Sequence, residues 1–156
     1  DAMVDWIFTR IELPAPDDGW RDGMVRRADS ARAVLAAHPW ALGLVDSRRT
    51  PGPALLTHHN AVLGCLRRNG FTVELASHAF SAIDSYVYGF VLTEMNLPFS
   101  DGADELVGEF TDALPVADYP YLAELAETVV TESYRFADEY SYGLDLVLDS
   151  IAVRRR

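Results

Sequence analysis

Two adjacent histidines, His58 and His59, are the first residues whose type could support chemistry. Successive side chains on an α-helix point about 100° apart, so the two rings cannot both bind one metal ion. If this segment is helical, His59 falls on an apolar stripe and His58 lies beside it. Two interpretations follow: a histidine at the core edge next to one at the surface, or a histidine that hydrogen-bonds a ligand in a cavity.

Asp84 is the second candidate, because it occurs within the strongly apolar segment Ala82–Tyr86. A charge beside an apolar stripe must be paired, hydrated or turned towards a cavity. The alternatives are a hydrated carboxylate at the helix edge and a polar group in a ligand pocket, next to Ser81 and across from His58 or His59. Four aromatic residues could line such a pocket or pack in the core: Trp6, Trp40, Phe80 and Tyr88.

The remaining polar residues give weaker signals. Glu74 and His78 lie four residues apart on one helix face and could chelate a metal, but isolated pairs of this kind arise often by chance. Cys65 has no base at a fixed offset and is predicted to be a buried structural thiol. The sequence has no glycine-rich phosphate loop, nucleophile elbow or Cys-x-x-Cys pair. We therefore predict no catalytic residue, no metal site and no cofactor.

Composition limits the class of protein. The 156 residues are 49% apolar, which suits one globular domain over positions 1–156. The net charge of −11 gives a surface that repels phosphate backbones, so this segment is not expected to hold nucleic acid itself. No apolar run is long enough for a membrane span. A single cysteine and the lack of a basic-apolar leader favour a cytoplasmic location.

Apolar residues recur every three or four positions, which predicts an all-α domain of about eight helices. Thr50 and Pro51 suit the start of one helix, and Thr72 suits the N-cap of the next. Loops are expected at Pro14–Gly19 and Pro98–Gly102. The predicted helices run from the chain start to Leu13, Trp20–Ala37, Trp40–Val45, Pro51–Asn69, Val73–Asn96, Asp104–Leu114, Tyr121–Val130 and Phe136–Val153.

The last predicted helix is apolar around most of its circumference. Only Asp145 and Asp149 leave a narrow polar strip. A helix of this kind must be covered on more than one side. In a domain of this size, a second copy of the chain is the simplest cover.

Several stretches occur in an order that is moderately specific for one family. They are Asp1–Asp5, His38–Trp40, Arg49–Pro53, Asn69–Phe71 before a capped helix, Tyr86–Leu92 and Tyr140–Ile151. Together they make the chain resemble the C-terminal, ligand-binding and dimerisation domain of TetR-family transcriptional repressors. The likeness is closest to the branch that includes the tetracycline repressor and spans nearly the whole chain.

The resemblance implies a bacterial repressor whose N-terminal helix-turn-helix precedes Asp1 and is absent from this sequence. A small hydrophobic effector would enter a helical cavity and favour a dimer whose DNA-reading helices no longer fit the operator. The metal–drug ligands of tetracycline-binding members do not carry over, because their positions fall near Glu12, Asp46 and Thr93. The implied effector-site positions are Trp40, Leu55, His58, His59, Val62, Ser77, Phe80, Ser81 and Asp84.

The resemblance also implies a homodimer in which the long helix and the last helix pair across the subunits as a four-helix bundle. Small residues would allow close approach of these helices. The interface positions it suggests are Gly89, Phe90, Gly143, Leu144, Val147 and Ile151.

Two other functions stay open at this point. The chain could be a free-standing helical protein that binds a small molecule and has no DNA-reading partner. It could also be a helical enzyme with His59 and Asp84 as acid and base, although no motif supports catalysis.

Overall fold

The computed structural model describes residues 2–46, 51–97, 108–109, 112–131 and 134–155. These residues form helices and connecting segments and contain no strand, which confirms the all-α prediction. Most of the predicted helix Asp104–Leu114 lies outside the described residues. The helices that lie wholly within the described residues are α1 (Ala2–Phe8), α2 (Trp20–Ala37), α3 (Trp40–Asp46), α4 (Pro53–Arg68), α5 (Val73–Asn96), α6 (Pro120–Thr131) and α7 (Glu139–Arg154), with a 3-10 turn at Phe136–Asp138.

The chain divides into two compact units. The first comprises Asp1–Met95 and Ser141–Arg156, and the second comprises Asn96–Tyr140. The first unit holds α1 to α4 and nearly all of α5 and α7. Every residue of the candidate site described below belongs to the first unit.

Helix α2 supplies the centre of the first unit. Its apolar residues recur at intervals of three and four and therefore share one face. All five residues of the predicted stripe are buried, with at most 8% of their surface exposed: Trp20, Met24, Ala28, Ala31 and Leu35. The periodicity alone was sufficient to predict this face.

Helix α1 is shorter than predicted and packs on α3 and α4. It ends at Phe8 instead of continuing towards Leu13. The backbone N–H of Arg10 bonds to the carbonyl of Ile7 at 2.9 Å, and the hydroxyl of Thr9 donates to the carbonyl of Trp6 at 2.6 Å. These bonds end the helix early. Ile11 therefore belongs to the segment that follows α1, and its side chain is buried there.

The start of α4 is capped from a distant helix. The predicted cap Thr50 lies outside the described residues, and the N-cap position is Gly52, which has no side chain to offer. The carboxylate of Asp5 on α1 accepts from the backbone N–H groups of Ala54 at 3.0 Å and Leu55 at 3.2 Å. A Cβ atom at Gly52 would collide with that carboxylate, so glycine is required for the close approach.

The turn between α4 and α5 follows the sequence signals. Gly70 has a φ of +87°, in the left-handed region that glycine adopts at helix ends. The hydroxyl of Thr72 accepts from the backbone N–H of Leu75 at 3.1 Å, which confirms it as the cap of α5. Phe71 is 1% exposed and anchors the turn in the core.

Helix α7 is held against the rest of the first unit by polar and close contacts. Arg21 of α2 bonds to Asp145 at 2.9 Å and to Asp149 at 2.8 Å, so the polar strip of α7 faces α2. A Cβ atom at Gly143 would collide with the ring of Tyr86, so glycine lets α7 approach α5 within one chain. The helix begins at Glu139 because a 3-10 turn occupies the first predicted residues.

Candidate functional site

A buried ion pair joins α2 to α5. Arg27 is 1% exposed, and its Nη1 group donates a hydrogen bond to the carboxylate of Asp84, whose side chain is 13% exposed. A buried charge is tolerated only when it is paired and hydrogen-bonded. Asp84 is therefore not the hydrated edge carboxylate considered from the sequence, and Arg27 is the partner that neutralises it.

His58 on α4 extends this pair to a third helix. The Nε–H group of Arg27 donates to Nε2 of His58 at 3.1 Å. Arginine can only donate, so Nε2 is the acceptor and a neutral His58 must carry its proton on Nδ1. Burial, then the charge of Arg27 and the neighbouring His59, lower the pKa of His58 to about 3, so the ring is neutral near pH 7.

Two donors in this group have no hydrogen-bond partner within the described part of the chain. They are Nδ1 of His58 and Nη2 of Arg27, both buried. The Tyr88 hydroxyl lies near the ion pair, yet it does not give Nη2 a bond of normal geometry. Since most buried polar groups are paired, two orphaned donors on residues that bond to each other mark this place as unusual.

Aromatic rings surround the polar groups. The Phe8 ring lies 5.1 Å from that of His58, and the Phe80 ring lies 4.9 Å from that of His59, centre to centre. The guanidinium carbon of Arg27 lies 5.4 Å from the centre of the Phe80 ring. We call the seven residues of this group the Arg27 cluster: Phe8, Arg27, His58, His59, Phe80, Asp84 and Tyr88.

The titration of the other two polar members follows from the same surroundings. Burial lowers the pKa of His59, and the negative charge of Asp84 opposes part of that shift. Burial, with Asp84 as the second cause, raises the pKa of Tyr88 above its usual range. Near pH 7 both groups are therefore uncharged, and the charges of Arg27 and Asp84 cancel.

The structure brings together four of the nine predicted effector-site residues: His58, His59, Phe80 and Asp84. Val62 is buried in the core, and Leu55 is half-buried on α4. Ser77 and Ser81 are exposed on α5. Whether any of these residues contacts an effector stays a prediction.

Trp40 lies in a separate group of rings. The Trp40 ring is 6.0 Å from that of His38, and His38 is 5.2 Å from Trp6. Arg10 stacks over Trp6 with its guanidinium carbon 4.4 Å from the ring centre. Both tryptophans are about 40% exposed. Of the four aromatic residues proposed as pocket walls, only Phe80 and Tyr88 belong to the Arg27 cluster.

The sequence patterns did not identify Arg27 as a site residue. They also predicted the more buried position for His59 and the surface position for His58, whereas the structure shows the reverse. Arg27 lies three residues after Met24 and four before Ala31, both on the buried stripe, so its position on that face was detectable. His58, expected at the surface, is 1% exposed, whereas His59 is half-buried. The rotation of α4 places His58 inward, where it meets Arg27 of α2 and the ring of Phe8.

The remaining chemical candidates do not join the cluster. Glu74 and His78 approach to 3.7 Å on the exposed face of α5. Within the described residues no group of three or more ligating side chains could hold a metal ion. Cys65 is 1% exposed, and burial raises the pKa of its thiol, as fits a structural residue. No helix in the described ranges is long and apolar enough to cross a bilayer.

Acidification is expected to destabilise the chain partly through His58. The unfolded state takes up a proton near pH 6.5, whereas the folded state resists protonation down to a pKa of about 3. The free energy of unfolding should therefore fall as the pH drops through this window, by up to about 1.4 kcal/mol per pH unit from this residue. His58→Gln should flatten that dependence in urea unfolding measured between about pH 7 and pH 4. As a control, His78→Gln changes an exposed histidine and should keep the wild-type dependence. Equal slopes of unfolding free energy against pH for wild type and His58→Gln would contradict the burial of a neutral ring.

The family and its relatives fit this architecture. Residues 13–155 match the model of the family described as "Tetracyclin repressor-like, C-terminal domain". The chain is 29% identical over 168 residues to the HTH-type transcriptional repressor DrrR1 of Streptomyces coeruleorubidus, covering 98% of this chain and 60% of that protein. It is 32% identical over 126 residues to an HTH-type transcriptional regulator of Saccharopolyspora erythraea, covering 79% of this chain and 53% of that protein.

Solved structures show the same fold. The TetR-family protein ActR of Streptomyces coelicolor, crystallised with (S)-DNPA, superposes with a TM-score of 0.78 at 23% identity, over 100% of this chain and 75% of that one. Its complex with actinorhodin gives a TM-score of 0.79 at 21% identity, over 99% of this chain and 74% of that one.

The chain spans 53–60% of the length of its two curated relatives. The family match over 143 of 156 positions (residues 13–155) shows that this chain belongs to the tetracycline repressor-like C-terminal domain family of transcriptional regulators.

Proposed function

We propose that this chain is the regulatory domain of a TetR-like transcriptional repressor and binds a small hydrophobic effector at the Arg27 cluster. In the whole regulator, binding would release operator DNA from a helix-turn-helix module. The observation that carries the proposal is the pair of buried, unpartnered donors surrounded by aromatic rings.

The composition of the cluster supports a small molecule rather than a macromolecule. Ligand sites combine apolar walls with a few fixed polar groups that orient the ligand. Here Phe8 and Phe80 supply apolar surface, while Arg27 and His58 supply donors held rigidly by Asp84 and by each other. The exposed serines of α5, Ser77 and Ser81, lie one turn or less from Phe80 and mark the side from which a ligand could enter.

Helix α4 offers a route from the effector to the DNA-reading module. It carries His58 and His59, and its first turn is bound to Asp5 of α1. In the family resemblance α1 is the helix that follows the helix-turn-helix. A shift of α4 on ligand binding would therefore move α1, provided the effector binds the two arrangements with different affinity.

The relatives support this proposal by analogy. ActR of Streptomyces coelicolor has been solved with (S)-DNPA and with actinorhodin. The part of that protein that matches this chain is 74–75% of its length and covers 99–100% of this one. At 21–23% identity the likeness does not extend to the ligand.

A homodimer is the second part of the proposal, since regulators of this family act as dimers. The sequence suggested Phe90, Leu144 and Ile151 for the interface, and all three are buried within one chain. Gly89 is exposed and Val147 is half-buried, and Gly143 faces Tyr86. These assignments stay proposals. The apolar side chains left exposed on α5 and α7 extend the proposed interface: Leu92, Met95, Tyr142, Leu146 and Val153.

A free-standing binding protein without DNA-binding activity is the alternative. Both proposals place the effector at the same cluster, so ligand binding does not separate them. The coding sequence upstream of Asp1 would separate the two proposals, because a regulator requires a basic helix-turn-helix there.

Ligand binding at the cluster should be visible as thermal stabilisation. An effector at roughly 100 times its Kd should raise the Tm of this chain by about 5–10 °C in a screen of hydrophobic metabolites. Phe80→Ala should abolish the shift of any hit, because it removes the ring beside Arg27 and His59. Tyr121→Ala, which truncates a ring that is 84% exposed, should leave the shift intact. A hit that survives Phe80→Ala, or a screen without hits from any class, would count against the effector site.

Self-association should depend on the exposed face of α7. The wild-type chain is expected to sediment as a dimer at tens of micromolar, and Leu146→Glu should convert it to monomer by placing a charge in a desolvated interface. Leu56→Glu is a matched control, since Leu56 and Leu146 are 55% and 56% exposed but lie on different helices. Wild-type monomer at that concentration, or equal effects of the two substitutions, would contradict the proposed interface.

A further inference from the structure

We infer that the Arg27 cluster selects an aromatic effector with a neutral carbonyl oxygen, which accepts a hydrogen bond from Nδ1–H of His58. The inference rests on the proposed effector site and adds the chemistry of its ligand.

The hydrogen-bond inventory of the cluster calls for an acceptor. Nε2 of His58 is engaged by Arg27, and Oδ1 of Asp84 is engaged by Nη1 of Arg27. What remains unsatisfied among the buried groups is N–H: one on His58 and two on Nη2 of Arg27. A ligand that offers only donors would leave these groups unpaired, whereas a carbonyl oxygen can accept from Nδ1–H of His58.

The charge inventory selects a neutral acceptor over an anion. The positive charge of Arg27, which is fully buried, is already balanced by the partly buried Asp84. Because His58 is neutral, the cluster has no net charge left for an anion to balance. A carboxylate would be desolvated and would also be repelled by Asp84, whereas a ketone, quinone or lactone oxygen meets neither obstacle.

The aromatic side chains around the donors favour a ligand with a flat aromatic ring system. His58 is flanked by the Phe8 ring at 5.1 Å, and the face of Phe80 is turned towards Arg27 with a spacing of 5.4 Å. His59 meets Phe80 edge to face at 4.9 Å, so the half-buried side of the cluster presents ring edges and faces. A flat ring system can stack in such surroundings while its carbonyl group reaches the donors.

Three probes of nearly equal shape test the inference on the 156-residue chain by equilibrium dialysis. They are 9-fluorenone, which carries one carbonyl; fluorene, which carries none; and 9-fluorenecarboxylate, which is an anion. We expect 9-fluorenone to bind about tenfold or more tightly than either of the others, although burial alone favours fluorene. The carbonyl stretch of bound 9-fluorenone should also move to lower wavenumber than in hexane.

His58→Gln is the decisive variant. Its side-chain oxygen can replace Nε2 as the acceptor for Arg27, while the Nδ1–H donor is lost. It should reduce the preference for 9-fluorenone over fluorene to about threefold or less and cancel the infrared shift. His78→Gln makes the same chemical change on an exposed histidine and should preserve both.

The outcomes separate this inference from the effector site itself. Equal or tighter binding of fluorene, or an unshifted carbonyl stretch in the wild-type chain, overturns the carbonyl inference and leaves a purely apolar effector site. Tighter binding of 9-fluorenecarboxylate overturns it in favour of an anionic effector. Failure of all three probes to bind rejects an aromatic-lined site and with it both proposals. The infrared result on the wild-type chain decides the question even if His58→Gln does not fold.

Discussion

The first unit of this domain depends on one charged side chain that is held away from water. Arg27 of α2 bonds to Asp84 of α5 and to His58 of α4, so a single guanidinium fixes three helices relative to one another. Removing one member of a buried ion pair costs on the order of 3–5 kcal/mol, because the other charge stays desolvated. The same geometry leaves two buried donors unpaired. The group that orders the helices is thus also the group that an acceptor on a ligand would complete.

Much of the fold was predictable because its signals are local. The α2 stripe from Trp20 to Leu35, the cap at Thr72 and the left-handed Gly70 each follow from a residue type at a fixed spacing. The distant cap of α4 was not predictable, since it depends on Asp5 meeting residues about fifty positions away. The periodicity of apolar residues predicted only that the domain is all-helical. The resemblance to a family, which combines many weak sequence signals, identified the specific architecture.

Only part of the candidate site could be predicted, because some of its residues are marked by local patterns and others only by contacts between distant parts of the chain. Asp84 attracted attention because a carboxylate within an apolar segment needs a partner, but the sequence does not say which cation supplies it. Arg27 adjoins Arg26, which is solvent-exposed and pairs with Asp18, so the composition of α2 conceals that one of two neighbouring arginines points inward. Which histidine is buried depends on the rotation of α4, and tertiary contacts set that rotation. Site residues that act through long-range pairing are therefore the ones that local patterns miss.

The protonation of His58 tests the central claim most directly, because only the neutral tautomer with its proton on Nδ1 combines a free Nε2 acceptor for Arg27 with an Nδ1–H donor for an effector. Side-chain nitrogen-15 NMR of the chain distinguishes the two neutral tautomers from the charged ring. At about pH 5, below the usual pKa of histidine, we predict a neutral His58 with its proton on Nδ1 and an unprotonated Nε2 that accepts from Arg27. A charged ring at that pH, or a proton on Nε2, would contradict the account.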